Sequence, residues 1–127
     1  MAVIVDANAL SAWLDGDPQI RPELARARSL SLSAVVLGEY VFGISGSRHH
    51  KVYEARLKSL LEDFPVRGVD STTASHYAAI RRELKNAGTP IPWHDIWIAA
   101  QARQHGLPIL SRDTHFDEVQ GVARQGW

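Results

Sequence analysis

Four carboxylates stand along this 127-residue chain at positions that an alternating fold would bring together: Asp6, Glu39, Asp95 and Asp113. Gathered in one crevice they would repel one another, and some would hold protons unless a counter-charge intervened. A hard divalent cation resolves this. Mg²⁺ or Mn²⁺ takes oxygen ligands, keeps several waters and binds phosphate oxygens at its open positions. With one or two such ions, a site of this kind generates a hydroxide nucleophile and stabilises a phosphodiester in transit. The chain has no cysteine, which excludes a zinc–thiolate site and a disulfide framework.

The elements that would position these acids follow from the hydrophobic pattern. Ala2 to Val5 is a short, continuous apolar run of the kind a buried parallel strand shows, and Asp6 ends it. Ala7 to Leu14 reads as a helix broken by Asp15-Gly16-Asp17-Pro18, and a second helix covers roughly Pro22 to Arg28. Leu30 to Ser33 reads as a strand, with Ser33 capping a helix from Ala34 to about Phe42 and a turn over Gly43 to Ser47. Tyr53, Leu57, Leu60, Leu61 and Phe64 then recur at helical spacing up to Pro65. Val66 to Val69 is a third strand. Ser71 or Thr72 is expected to cap a helix running to Asn86, which Ala87-Gly88-Thr89-Pro90 stops. Trp93 to His105 is a further helix ended by Gly106. Pro108 to Ser111 is a strand, followed by a short helix near Thr114 to Glu118 and a weak strand around Val122 to Arg124. Strands alternating with helices imply an α/β fold, a parallel sheet covered by helices on both faces. Ligands of such sheets bind just past the carboxyl ends of the strands, where Asp6 and Asp113 fall.

Each acid also has a plainer explanation. Asp6, Asp95 and Asp113 stand near helix starts, where aspartate commonly caps backbone amides. Glu39 is too deep in its helix to cap it. Val35 and Val36 precede it by four and three residues and Phe42 follows by three, so it shares an apolar face, where an unpaired charge is costly. Its plain alternative is a buried ion pair with an arginine.

With these residues in place, the chain resembles PIN-domain nucleases, and in particular the VapC-like toxins of toxin–antitoxin pairs. Four segments carry the likeness: Val3 to Leu10, Leu32 to Glu39, Ile91 to Ala100 and Ile109 to Asp113. The stretch Ile80 to Gly88 is also typical. The resemblance covers essentially the whole chain and implies a three-layer α/β/α sandwich around a mostly parallel sheet of four to five strands. It implies endonucleolytic cleavage of RNA by metal-activated water, with Asp6, Glu39, Asp95 and Asp113 as the Mg²⁺- or Mn²⁺-binding acids. Asn8 and Ser111 match positions that support the first acid. A VapB-like antitoxin is the implied partner, with a homodimer or a larger complex as the assembly. Two positions depart from the pattern: His94 stands where asparagine is frequent, and His115 where some members carry an additional acid.

Composition sets the remaining bounds. Apolar residues make up 45% of the chain, enough for one folded domain spanning residues 1–127. Basic and acidic residues number 14 each, so any nucleic-acid binding must use a local patch. No apolar run is long enough to span a bilayer, and the expected location is the cytoplasm. Arg81, Arg82, Lys85 and above all Arg112, beside Asp113, are candidates for phosphate contacts. Arg48-His49-His50-Lys51 reads as a basic loop, and Trp93 or Trp97 as a possible base-stacking residue. Trp13, Leu14, Val41, Phe42 and Ile44 are candidates to line a groove for an antitoxin helix. A receiver domain would need a lysine after a late strand, and no lysine follows Lys85. A haloacid-type phosphatase would need an aspartate where Asn8 stands. The competing function is a protein-binding PIN module whose acidic pocket accepts a partner's arginine.

Overall fold

The computed structural model describes residues 2–127. Its centre is β1 (Ala2–Val5), whose Val3, Ile4 and Val5 are almost wholly inaccessible to solvent. An all-apolar strand of this kind is stable only with helices over both of its faces. The chain continues through α1 (Ala7–Leu14) and α2 (Arg21–Arg26) to β2 (Ser29–Ser33), which pairs in parallel with β1 from Ala2↔Ser29 to Val5↔Leu32. Helices α3 (Ala34–Ser45) and α4 (His50–Asp63) lead to β3 (Val66–Arg67), parallel to β2. Then α5 (Ser71–Ala87) and α6 (Trp93–His105) pack against each other and deliver the chain to β4 (Ile109–Leu110), on the other side of β1. A 3₁₀ turn (Thr114–Glu118) and β5 (Arg124–Gln125) finish the sheet, whose order is β3-β2-β1-β4-β5 with every pairing parallel.

The chain moves outward on one side of β1 and then restarts on the other. That reversal parts the connections at the carboxyl ends of β1 and β4 and leaves a crevice there. The main-chain amide of Asp6 still bonds to the carbonyl of Leu110 (3.1 Å), so the strands separate just past this point.

Most boundaries fall where local chemistry sets them. Ser33 caps α3, its hydroxyl accepting from the Val35 amide (3.1 Å). Gly88 (φ 71°) and Gly106 (φ 65°) end α5 and α6 in the left-handed conformation that glycine adopts without a side-chain clash. Several expectations need correction: the third strand keeps only Val66–Arg67 of the expected Val66 to Val69, and the last is Arg124–Gln125 instead of Val122 to Arg124. Gly43 to Ser47 is not a turn throughout: α3 runs on to Ser45, because burying Ile44 outweighs the weak helix preference of Gly43. The cap of α5 is Asp70, not Ser71 or Thr72. Its carboxylate accepts from the Thr73 amide while the Thr73 hydroxyl accepts from the Asp70 amide, a reciprocal box that satisfies two amides. Of Arg48-His49-His50-Lys51, the last two residues open α4 instead of lying in a loop.

A buried polar strut crosses the interior. Gln101 of α6 accepts from the Ser33 hydroxyl and donates to the carbonyls of Arg67 and Gly68, both at 3.1 Å. It fastens α6 to the ends of β2 and β3 and leaves none of these groups without a partner. Among the described residues, no helix is long and apolar enough to cross a membrane.

Candidate active site

All four acids converge on the crevice. Asp6 follows β1 directly and is 4% exposed, and Asp95, in the first turn of α6, is 3% exposed. Asp113 lies three residues past β4, and Glu39, in the second turn of α3, is half-buried. Capping does not account for Asp6 or Asp95, since neither α1 nor α6 has a side-chain cap bond. Asp113 does cap: its carboxylate accepts from the His115 amide (2.9 Å) at the start of the 3₁₀ turn. Glu39 is not paired with an arginine. The His94 ring lies 3.9 Å from one carboxylate oxygen, and the other oxygen is buried with no hydrogen-bond partner among the described residues.

Asp6 is held by a network joining the ends of β1 and β4. The Ser111 hydroxyl donates to Asp6 Oδ2 (2.6 Å), and Asn8 Nδ2 lies 3.4 Å from the same oxygen and 3.1 Å from Ser111 Oγ. Asn8 Oδ1 in turn accepts from the Arg112 amide, and Ser111 Oγ accepts from the Asp113 amide (2.9 Å). Arg112 extends outward, its guanidinium 4.5 Å from the centre of the Trp127 ring and bonded to Gln19.

On the opposite wall, two histidines flank Asp95. His115 Nδ1 is 3.0 Å from Asp95 Oδ2 and 3.0 Å from Asp113 Oδ1, while His94 Nε2 is 3.4 Å from Asp95 Oδ1. The sequence marks both histidines as departures, but nothing local reveals that His115 bridges two acids, one of them 20 residues earlier.

The electrostatics carry the mark of crowding. Burial raises the carboxyl of Asp6 above its ordinary range, against the pull of the Ser111 bond, and Asp95 and Asp113 push it further. Burial also raises Glu39, opposed by His94 and reinforced by Asp6, Asp95 and Asp113. Asp95 is raised by burial against the bond from His115, and His115 is raised chiefly by that same bond. Asp95, Asp113 and His115 each offer one donor atom, all within 4.8 Å of one another. Buried carboxylates that repel, with a carboxylate oxygen left unpartnered, form a donor set suited to a hard divalent cation.

The PIN domain family model matches residues 3–122. The chain is a PIN-domain protein. Its sequence relatives place it in the VapC-like branch. It is 30% identical over 99 residues to the tRNA(fMet)-specific endonuclease VapC of Shigella flexneri, covering 77% of this chain and 75% of that protein. It is 30% identical over 122 residues to the toxin FitB of Neisseria gonorrhoeae, covering 88% of each. The crystal structure of FitAcB from the same organism superposes with a TM-score of 0.85 at 30% identity, over 98% of this chain and 96% of that one. In this PIN domain the five parallel strands and the crevice at the β1–β4 switch are the frame on which the four acids stand.

Proposed function

We propose that this PIN domain is a divalent-metal-dependent endoribonuclease that hydrolyses RNA phosphodiester bonds and acts as the toxin of a toxin–antitoxin pair. The observation that carries this reading is the gathering of Asp6, Glu39, Asp95 and Asp113 at one strand-end crevice, with a buried Glu39 oxygen that has no hydrogen-bond partner among the described residues. Asp6, Glu39, Asp95 and Asp113 would hold Mg²⁺ or Mn²⁺. When bound, the ion supplies an activated water and neutralises charge on the scissile phosphate. The chain's own contribution is preorganisation. Ser111 and Asn8 fix which Asp6 oxygen faces the crevice, and His115 draws Asp95 and Asp113 toward each other. Arg112, anchored through its amide to Asn8, places a cation at the rim to meet a phosphate.

A protein partner fits the apolar face beside Glu39. Phe42 is 82% exposed and Val41 45% exposed on α3, next to a cavity of about 380 Å³ lined in part by Ala7, Tyr40 and Ile44. A VapB-like antitoxin helix is the proposed occupant. Trp13 and Leu14 do not share that cavity: they line a separate depression with Arg56 and Leu60, Trp13 standing edge-on to Phe64 at 4.9 Å.

The test is cleavage of total RNA by the purified chain with Mg²⁺ or Mn²⁺, with and without a chelator. Asp6→Asn and Asp95→Asn should each lower the rate by roughly 100-fold or more. Cleavage that persists in chelator, or in both variants, would refute the proposal.

A further inference from the structure

We infer that the exposed indole of Trp93, with the cations around it, forms a subsite that stacks an unpaired base of single-stranded RNA. The inference rests on the proposed ribonuclease activity and names how its substrate is held. Trp93 opens α6 two residues before Asp95 and is 65% exposed. An indole this open can offer a ring face to a planar base. Trp97, one turn on, is unsuited to the role because Tyr77 is stacked on it, with ring centres 4.0 Å apart.

The surroundings of Trp93 match a nucleic-acid strand in charge and shape. The guanidinium of Arg81 sits 4.8 Å from the indole centre and takes its orientation from the Tyr77 hydroxyl (3.0 Å). A cleft of about 350 Å³ lies between α5 and α6, bounded by Trp93, Ile91 and Leu84 and by the cations Arg81 and Lys85. A second depression of about 430 Å³ shares those cations and adds Arg82. No acidic side chain lines either one, although the whole chain carries equal numbers of acidic and basic residues. Among the described residues, Arg81, Arg82 and Lys85 form no ion pair, whereas their neighbour Glu83 is paired with Arg103. Unpaired cations beside an open aromatic ring are the two parts of a single-strand platform: phosphates meet the cations and a base meets the ring. A folded duplex would not present its bases to such a ring.

Binding of a labelled single-stranded RNA to the full chain, followed by fluorescence anisotropy in chelator so that no cleavage intervenes, tests this. Trp93→Ala should raise Kd by about 5- to 150-fold, the range for losing one stacked base, while Trp93→Phe keeps most of the affinity. A strand with abasic sites in place of bases should bind the parent chain and Trp93→Ala equally. Arg82→Ala should weaken RNA and abasic strand alike. Equal RNA affinity for the parent chain and Trp93→Ala would overturn the subsite. So would light scattering that shows Trp93→Ala breaking a dimer, since the indole would then be covered by a second copy. If the parent chain shows the expected pattern yet cleaves RNA with no divalent ion, the subsite stands and the nuclease proposal fails.

Discussion

Replacing Glu39 with glutamine keeps the shape of the side chain but removes its charge, and that separates what the site does for function from what it costs the fold. In the metal-free protein, one Glu39 oxygen is buried without a partner, and the carboxylate is opposed by Asp6, Asp95 and Asp113, with only His94 at 3.9 Å in its favour. Leaving a buried polar group unsatisfied costs about 1–3 kcal/mol, and more when it is charged. The amide inherits the unpartnered position but not the repulsion, so the metal-free variant should gain about 1–2 kcal/mol. For a chain of this length that raises the melting temperature by roughly 3–8 °C. With Mn²⁺ at about one hundred times its Kd, the parent chain gains roughly 2.7 kcal/mol, while a variant lacking a principal ligand gains much less. The order of stability should therefore reverse between chelator and metal. Circular dichroism melts of both proteins in EDTA and in excess Mn²⁺ provide the assay. A Glu39→Gln variant that melts at or below the parent in EDTA would refute the electrostatic reasoning. Equal stabilisation of both by Mn²⁺ would show that Glu39 is not a ligand.

Three further outcomes are expected. The contribution of the site to metal-free stability should rise as pH falls from neutrality toward the ordinary carboxylate range, offset in part by His105, whose value burial lowers. Asp6, Glu39 and Asp95 are all raised by burial, so their destabilisation grows as pH climbs through their folded values. The contribution of His115, raised by its bond to Asp95, is fully present below its unfolded value and is lost as pH climbs through the folded one, so all four act in the same direction. A flat melting profile over that range would contradict this. Gln101→Leu should cost about 2–4 kcal/mol in urea unfolding, because it strands the carbonyls of Arg67 and Gly68 and the Ser33 hydroxyl in the interior. Asp70→Ala should cost about 1 kcal/mol and lower the melting temperature by a few degrees, with RNA cleavage unchanged, since it removes the capping box of α5 and an exposed bond from Gln104.

What the sequence determined by itself was whatever depends on neighbours along the chain. The unbroken apolar run of β1, the cap at Ser33 and the glycine stops at Gly88 and Gly106 are local physics, and the structure keeps them. The inward side of Glu39 was legible in part for the same reason, since Val36 beside it is fully buried, but Phe42, expected on that same face, is 82% exposed. Local signals failed where burial outweighed them, as when Ile44 carried α3 through Gly43, and where Asp70, one residue earlier than expected, had the longer reach to a buried Thr73. Tertiary structure decided everything that joins distant segments. Ser111 reaches Asp6 across 105 residues, and His115 reaches Asp95 across 20, because β1 and β4 are adjacent in a sheet whose order the chain does not announce. The same folding sorted the tryptophans, covering Trp97 with Tyr77 and leaving Trp93 in solvent. Residue type and period set which groups are available, whereas pairing order and packing set which of them meet, since those depend on surfaces that exist only once the sheet has formed.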